Sequence, residues 1–208
     1  MTQPEIIIRP AKPSQEEGLR FAHFMNIAAN GGFRYLLGPR FKEIVAEAFV
    51  ERGHDLSHEY ALLAEQGGEI LGMASGYTAE QHGRSSDEPI RRAAGRSAFR
   101  MACMFALTAP MWRFMHAHEE GDFYLQFLAV DEPHRGQGAG SALIGAMEAR
   151  GRESGSVRFV LDVSGRNPGA QRLYERQGFE VGPRWPRLAL LPPIVRRMVK
   201  PLDPGSNV

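Results

Sequence analysis

The sequence predicts an α/β fold, a sheet served by crossover helices. Three observations predict it. The inferred elements run strand, two helices, hairpin, insertion, then strand–helix–strand–helix–strand, the mixed order of α/β proteins. The run Phe123–Val130 is apolar at nearly every position, as a strand covered on both faces should be. A glycine-rich turn follows it directly and opens into a helical pattern.

Glu5–Arg9 is a β-branched run closed by Pro10 and reads as the first strand. Ser14 followed by Glu17 matches a capping box, so a helix is expected through Leu19–Ala29. Asn30-Gly31-Gly32 stops it, because these residues accept positive φ at low cost. Phe41, Ile44, Val45, Ala48 and Phe49 repeat at helical spacing within Phe41–Arg52, and Gly53 ends that helix. Tyr60–Glu65 and Glu69–Tyr77 form a hairpin about Gln66-Gly67-Gly68. After Phe123–Val130 come a helix over Ser141–Arg150, a strand over Val157–Val163 and a helix over Ala170–Arg176. A short strand over Phe179–Val181 and a last one near Ile194–Lys200 complete the series, and Pro201–Val208 reads as a loose tail.

Bulk properties limit the function classes. A chain of 208 residues suits one domain. A formal net charge of +1 gives no bulk attraction for nucleic acid, so none is expected as a partner. The most apolar stretch, Met101–Trp112, is too short to span a bilayer, which takes about 20 apolar residues, so no membrane is expected either. Met1–Pro10 lacks a signal-peptide pattern, and the single cysteine, Cys103, fits a reducing cytoplasm.

The turn itself is chemically suggestive. Gly136, Gly138 and Gly140 let main chain approach a ligand, and the free N–H groups of a helix start favour an anion. Arg135 adds a fork-shaped cation. A P-loop is excluded, because Gly140-Ser141-Ala142 has no lysine. A dinucleotide fingerprint lacks its third glycine, since Ser141 stands there. A tight turn without a ligand remains the structural alternative.

Two blocks resolve the choice. Leu128-Ala129-Val130 followed by Arg135-x-x-Gly138-x-Gly140 resembles the coenzyme A pyrophosphate loop of the GNAT superfamily of N-acyltransferases. Asn167-Pro-Gly-Ala-Gln-Arg-Leu-Tyr-Glu-Arg-Gln-Gly-Phe179 resembles its second block, with an asparagine before a helix, a tyrosine on it and Gly-Phe after it. Together they cover Phe123–Val181, under a third of the chain, and are specific in combination. The hairpin and the closing Arg197–Leu202 also look like the superfamily's pattern. Residues 79–121 do not, and read as an insertion.

The resemblance implies a GNAT-like α/β fold: a twisted mixed sheet with flanking helices and a helical insertion before the fourth strand, in one domain over residues 1–208. It implies acetyl transfer from acetyl-coenzyme A to a primary amine of a small molecule or peptide, by direct attack in a ternary complex. It places the pantetheine arm along Leu128, Ala129 and Val130, and the pyrophosphate on Arg135, Gly136, Gln137, Gly138, Ala139, Gly140 and Ser141. It places Asn167 near the pantetheine, with the Tyr174 hydroxyl near the sulfur as general acid. A catalytically silent acyl-coenzyme A sensor or interaction module is the alternative.

The base is the open point. Relatives often carry a glutamate on the fourth strand where this chain has Gln126, which cannot take a proton at neutral pH. Asp122, Glu119 and Glu59 are the substitutes at hand, and an acceptor amine of lowered pKa is the other solution.

Four further features carry expectations. Arg92, Arg96 and Arg100 recur every four residues as a basic helical stripe, either a solvated face or a clamp for an acidic group. Met101–Trp112, apolar all round until Pro110, is expected in the core; covering the substrate site or pairing with a second subunit in a homodimer are the alternatives. His54 and His58 have a helical metal spacing, but Gly53 and Ser57 favour a loop and no third ligand follows, so no metal is expected. His116 and His118 beside Glu119-Glu120 read as a polar loop.

Overall fold

The computed structural model describes residues 4–187, 190 and 192–203. Its sheet grows from one antiparallel edge. β1 (Ile7–Pro10) pairs with β2 (Ala61–Gln66), β2 with β3 (Glu69–Thr78), and β3 with β4 (Asp122–Val130), all antiparallel. The hairpin turn puts Gly67 and Gly68 at φ 58° and 87°, a left-handed pair that suits the strand twist. β4 then pairs parallel with β5 (Arg158–Ser164), β5 pairs antiparallel with β7 (Val195–Pro201), and β6 (Glu180–Trp185) closes the far edge. The seven-stranded order is β1-β2-β3-β4-β5-β7-β6, the mixed α/β sheet that the sequence predicts.

One face is covered by α1 (Gln15–Ala28), α2 (Gly32–Leu37) and α3 (Phe41–Phe49). Ser14 Oγ accepts the Glu17 N–H at 3.2 Å and starts α1. The Glu17 carboxylate accepts from the Lys12 N–H at 2.6 Å rather than from Ser14, so the expected reciprocal box closes two residues early. A Cβ on Gly18 would stand 2.8 Å from Ala46 Cα, so α1 and α3 meet backbone to backbone. Phe21, Phe24, Met25, Val45 and Phe49 pack over Leu63, Met73 and Ala129. Each such fully buried side chain stabilises the fold by about 1.5–3 kcal/mol. The other face carries α7 (Ala139–Glu153) and α8 (Pro168–Arg176), with Leu143, Ile144, Met147 and Tyr174 against Leu62, Ala74, Phe159 and Leu161.

Residues 79–121 form α4 (Ala79–Gly83), α5 (Glu88–Ala94) and α6 (Ala98–Met115). Two expectations need correction here. The arginine stripe does not lie on one helix, because Gly95, at φ 50°, breaks the chain between Arg92 and Arg100. Arg92 pairs with Glu51 at 2.8 Å, Arg96 sits in a 3-10 turn, and Arg100 donates to the Tyr35 carbonyl at 2.7 Å. Nor is α6 a core helix: only Met101 is buried on it, and Phe99 and Leu107 are 79% and 77% exposed. Its uniform apolarity serves one stripe only, described below.

The expected loose tail begins too early. Pro201 ends β7, and Leu202 is 2% exposed with its N–H donating to the Val157 carbonyl. Residues 204–208 lie outside the described residues. No helix among the described residues is long and apolar enough to cross a membrane.

β4 positions the site. Ser75 pairs with Phe127 but the next residue, Gly76, pairs with Leu125, so Gln126 is the extra residue of a bulge. The bulge exchanges the faces of the strand. Phe123 and Leu125 point to the α7 side, whereas Phe127 and Ala129 point to the α1 side. At the same point β4 leaves β5, since their pairing covers only Asp122–Leu125 with Arg158–Leu161. Beyond Leu125 the two strands splay.

Candidate active site

The splay opens a cavity of about 1120 Å³ that runs between the sheet faces. Its floor is the unpaired edge of Gln126–Val130, where main-chain groups directed away from β3 have no strand partner among the described residues. Leu128, Ala129 and Val130 all line it.

On the α7 side, the chain leaves β4 through one 3-10 turn and reaches Gly136 and Gly138 at φ 77° and 96°. Those left-handed conformations leave the turn bare, and a Cβ on either glycine would meet nothing within 4 Å. Gly138 is the N-cap of α7, and no side chain caps it. Among the described residues, no N–H from Gly136 to Ser141 donates to a protein acceptor. A fifteen-residue helix thus aims its free amides and positive dipole end at the cavity. Arg135, Gly136, Gly138, Gly140 and Ser141 line the cavity; Gln137 and Ala139 do not. Gln137 donates to the Pro133 carbonyl at 3.1 Å, and Ala139 is 1% exposed in the α7-side core. Arg135 Nε donates to the Val130 carbonyl at 3.1 Å, fixing the guanidinium at the mouth.

α8 faces the same space. Asn167 caps it, its Oδ1 accepting the Ala170 N–H at 3.0 Å, so this side chain is committed to the helix start. Tyr174 is 8% exposed and lines the cavity, and among the described residues its hydroxyl has no protein hydrogen-bond partner. Burial raises its pKa well above the ordinary phenol value, so the group keeps its proton across the neutral and alkaline range. Arg166 and Arg176 join Arg135 on this wall, and among the described residues none of the three pairs with a carboxylate. Arg166 and Arg176 were not among the residues expected from the sequence. Arg176 stands seven residues after the cavity-lining Gly169, so the helical period of α8 already contained the signal.

The wall on the other face comes from α2 and α6. Met104, Thr108, Met111, Trp112, Met115 and His116 recur at helical spacing along α6 and its cap, and Phe33 and Leu36 come from α2. Trp112 Nε1 donates to Thr108 Oγ1 at 2.8 Å, and Thr108 donates to the Met104 carbonyl at 2.7 Å. The helix expected in the core therefore covers the cavity with one stripe.

Deeper polar groups lie on the same side. Tyr124 donates to Asp162 at 3.2 Å, and Asp162 holds Arg197 at 2.8 Å with its own side chain 0% exposed. Arg197 also donates to the carbonyls of Phe114, Met115 and Ala117, fastening the end of α6 to β7. Burial raises the Asp162 pKa against the lowering pull of Arg197. Among the described residues the buried Tyr77 hydroxyl has no partner, and its ring stacks on His82 at 5.3 Å. His82 pairs with Asp55 at 2.7 Å. His118 lies 4.3 Å from the Tyr124 ring, and both its ring nitrogens are buried without partners among the described residues. The segment read as a polar loop is thus part of an aromatic cluster. No signal in the sequence joins these residues; Tyr77, Tyr124, Asp162 and Arg197 meet through strand pairing, and the loops and α4 bring Asp55, His82 and His118 to them.

The substitute bases are corrected. Asp122 is 2% exposed, bonded to Arg158 and the Glu119 N–H, and does not line the cavity. Glu119 pairs with Arg158, and Glu59 with Arg52. Gln126 does line the cavity, 3.4 Å from Ser75 Oγ. His54 and His58 each bond a main-chain carbonyl, those of Ala48 and Phe49.

The model of the acetyltransferase (GNAT) family matches residues 32–179. No curated protein matches the chain. Among solved structures, an acetyltransferase is 25% identical, with TM-score 0.65, covering 95% of this chain and 100% of that one. An N-acetyltransferase from Staphylococcus aureus Mu50 is 14% identical, with TM-score 0.63, over 93% and 99%. The NatC complex bound to Gag peptide and CoA is 15% identical, with TM-score 0.55, over 96% and 99%.

Proposed function

The chain belongs to the acetyltransferase (GNAT) family, and from that premise we propose that it moves an acetyl group from acetyl-coenzyme A to a primary amine, by direct attack in a ternary complex within one domain. The carrying observation is the pairing of two exposed main-chain surfaces in one cavity: the bare amides before α7 and the unpaired edge of β4. A diphosphate fits the first, because several N–H groups and a helix dipole face the cavity there, and Arg135, Arg166 and Arg176, which have no carboxylate partner among the described residues, line the same cavity. A pantetheine arm, with two amide groups, fits the second as an added strand would.

Acetyl-coenzyme A supplies an activated thioester. The residues of this chain do the rest. The open edge of Gln126–Val130 orients the carbonyl and offers a main-chain N–H to the charge that develops on its oxygen. As nitrogen bonds to carbon and the carbon–sulfur bond breaks, Tyr174 gives its proton to the departing sulfur and recovers one from water. The proton lost by the amine leaves to solvent.

One observation favours a second reading, a silent binder of acyl-coenzyme A: among the described residues no uncommitted carboxylate lines the cavity to act as base. Thiol release separates the two. The transferase reading expects amine-dependent release of free coenzyme A together with an acetylated amine in mass spectrometry. Saturable coenzyme A binding with no release for any amine would overturn it.

A further inference from the structure

We infer that the acceptor is a primary amine on an aromatic or aliphatic body, with no second positive charge and no carboxylate. This rests on the transferase reading and names the substrate class of its site.

The two sides of the cavity differ in chemistry. The α7–α8 side is cationic and suits the phosphates. The α2–α6 side is built from Phe33, Met104, Met111, Trp112 and Met115, with Phe127 of β4 beneath. Methionine and aromatic side chains make a polarizable, adaptable surface for a ring or alkyl chain. Asp162 is the one Asp or Glu lining the whole cavity among the described residues, and it is already spent on Arg197 and Tyr124. No free carboxylate therefore awaits an ammonium, and each extra charge of a polyamine or aminoglycoside would lose water without gaining a counter-charge.

An acceptor carboxylate finds no counter-charge on the α2–α6 side either. The uncommitted arginines stand on the α7–α8 side, and His116, the titratable group at the end of the apolar stripe, has its pKa lowered by burial and by the charge of His82. It is neutral at pH 7 and offers no counter-charge. A single amine gains from this setting. A wall without counter-ions disfavours its ammonium form and raises the neutral, nucleophilic fraction. The site thereby does by desolvation what Gln126 cannot do by proton transfer.

The test uses the full-length enzyme with acetyl-coenzyme A and a thiol readout. Acceptors are 2-phenylethylamine, tryptamine and hexylamine against spermidine, kanamycin and L-phenylalanine. The apolar amines should exceed the charged ones in kcat/KM by at least about tenfold, one factor of ten being 1.36 kcal/mol of barrier. Equal or better turnover of spermidine, kanamycin or phenylalanine would overturn the acceptor class and leave acetyl transfer standing. Met111→Glu should shrink the phenylethylamine-to-spermidine ratio at least about tenfold. Its coenzyme A affinity by calorimetry should match wild type. An unchanged ratio in a folded variant that binds coenzyme A would overturn the assignment of this wall. No turnover of any amine by wild type that binds coenzyme A would sink acetyl transfer itself, and this inference with it.

Discussion

Tyr174 serves the core and the cavity at once. Its ring belongs to the α7-side core, 5.8 Å from Phe179, while its hydroxyl stays free at the cavity. Tyr174→Phe keeps the packing and removes the proton. We expect kcat to fall of order 100-fold, the lower end for general acid catalysis, with coenzyme A affinity within about twofold of wild type. Full activity would strip the residue of the acid role. His118 makes a second residue-scale case. Burial, and then the charges of His82, Arg197 and His116, lower its pKa to about 3. The unfolded chain binds a proton near pH 6.5 that the folded chain refuses, so stability declines as pH falls from about 6.5 towards 3. His82 has the opposite sign: its hydrogen bond to Asp55 raises its pKa, and that contribution is present below about 6.5 and lost as pH rises through the raised value. In urea unfolding between pH 7 and 4.5, His118→Phe should therefore lose less stability than wild type. Equal losses would refute the neutral, buried state of this imidazole.

At the scale of elements, two devices make the site. The bulge at Gln126 turns β4 over, so that Phe123 and Leu125 pack towards α7 while Phe127 and Ala129 pack towards α1. The second device is the fastening of α6. Arg197 reaches from β7 to three carbonyls at the end of that helix while it neutralises Asp162. Arg197→Met leaves the Asp162 carboxylate buried without its partner and should destabilise the fold by about 3–5 kcal/mol. The double variant Asp162→Asn/Arg197→Met should recover part of that loss, because the uncompensated charge is gone. Additive losses in urea unfolding would mean that the two side chains are not coupled. Limited proteolysis near residues 116–121 should accelerate in the single variant, since the end of α6 is then held by fewer bonds.

For the whole molecule, a ligand that enters between the sheet faces couples to global stability. At 100 times its Kd, coenzyme A should stabilise the native state by about 2.7 kcal/mol. For a chain of this size that raises Tm by about 5–11 °C. Gly138→Val attacks the same coupling at its source. The native φ of 96° is hostile to a β-branched residue, and the added methyls would stand where the main chain must meet the ligand. The variant should melt lower on its own and show almost no shift at the same coenzyme A concentration. A shift as large as wild type's would remove the glycine turn from the binding site.

Much of this was legible in the sequence because it is local. The glycine turn, the helices that follow it and the Asn167–Phe179 block are set by φ preferences, capping and helical period within a few residues. From them followed the sheet class, and the expectation of a phosphate end and an acid tyrosine. The short helix α2 was missed because two turns of chain between glycines carry little periodic signal. The bulge, the splay of β4 from β5 and the Asp162–Arg197 fastening were decided only in three dimensions. So was the conversion of an apolar helix into a cavity wall. Their partners lie 35 to 83 residues apart, and which strands become neighbours depends on the packing of the whole sheet rather than on any window of sequence.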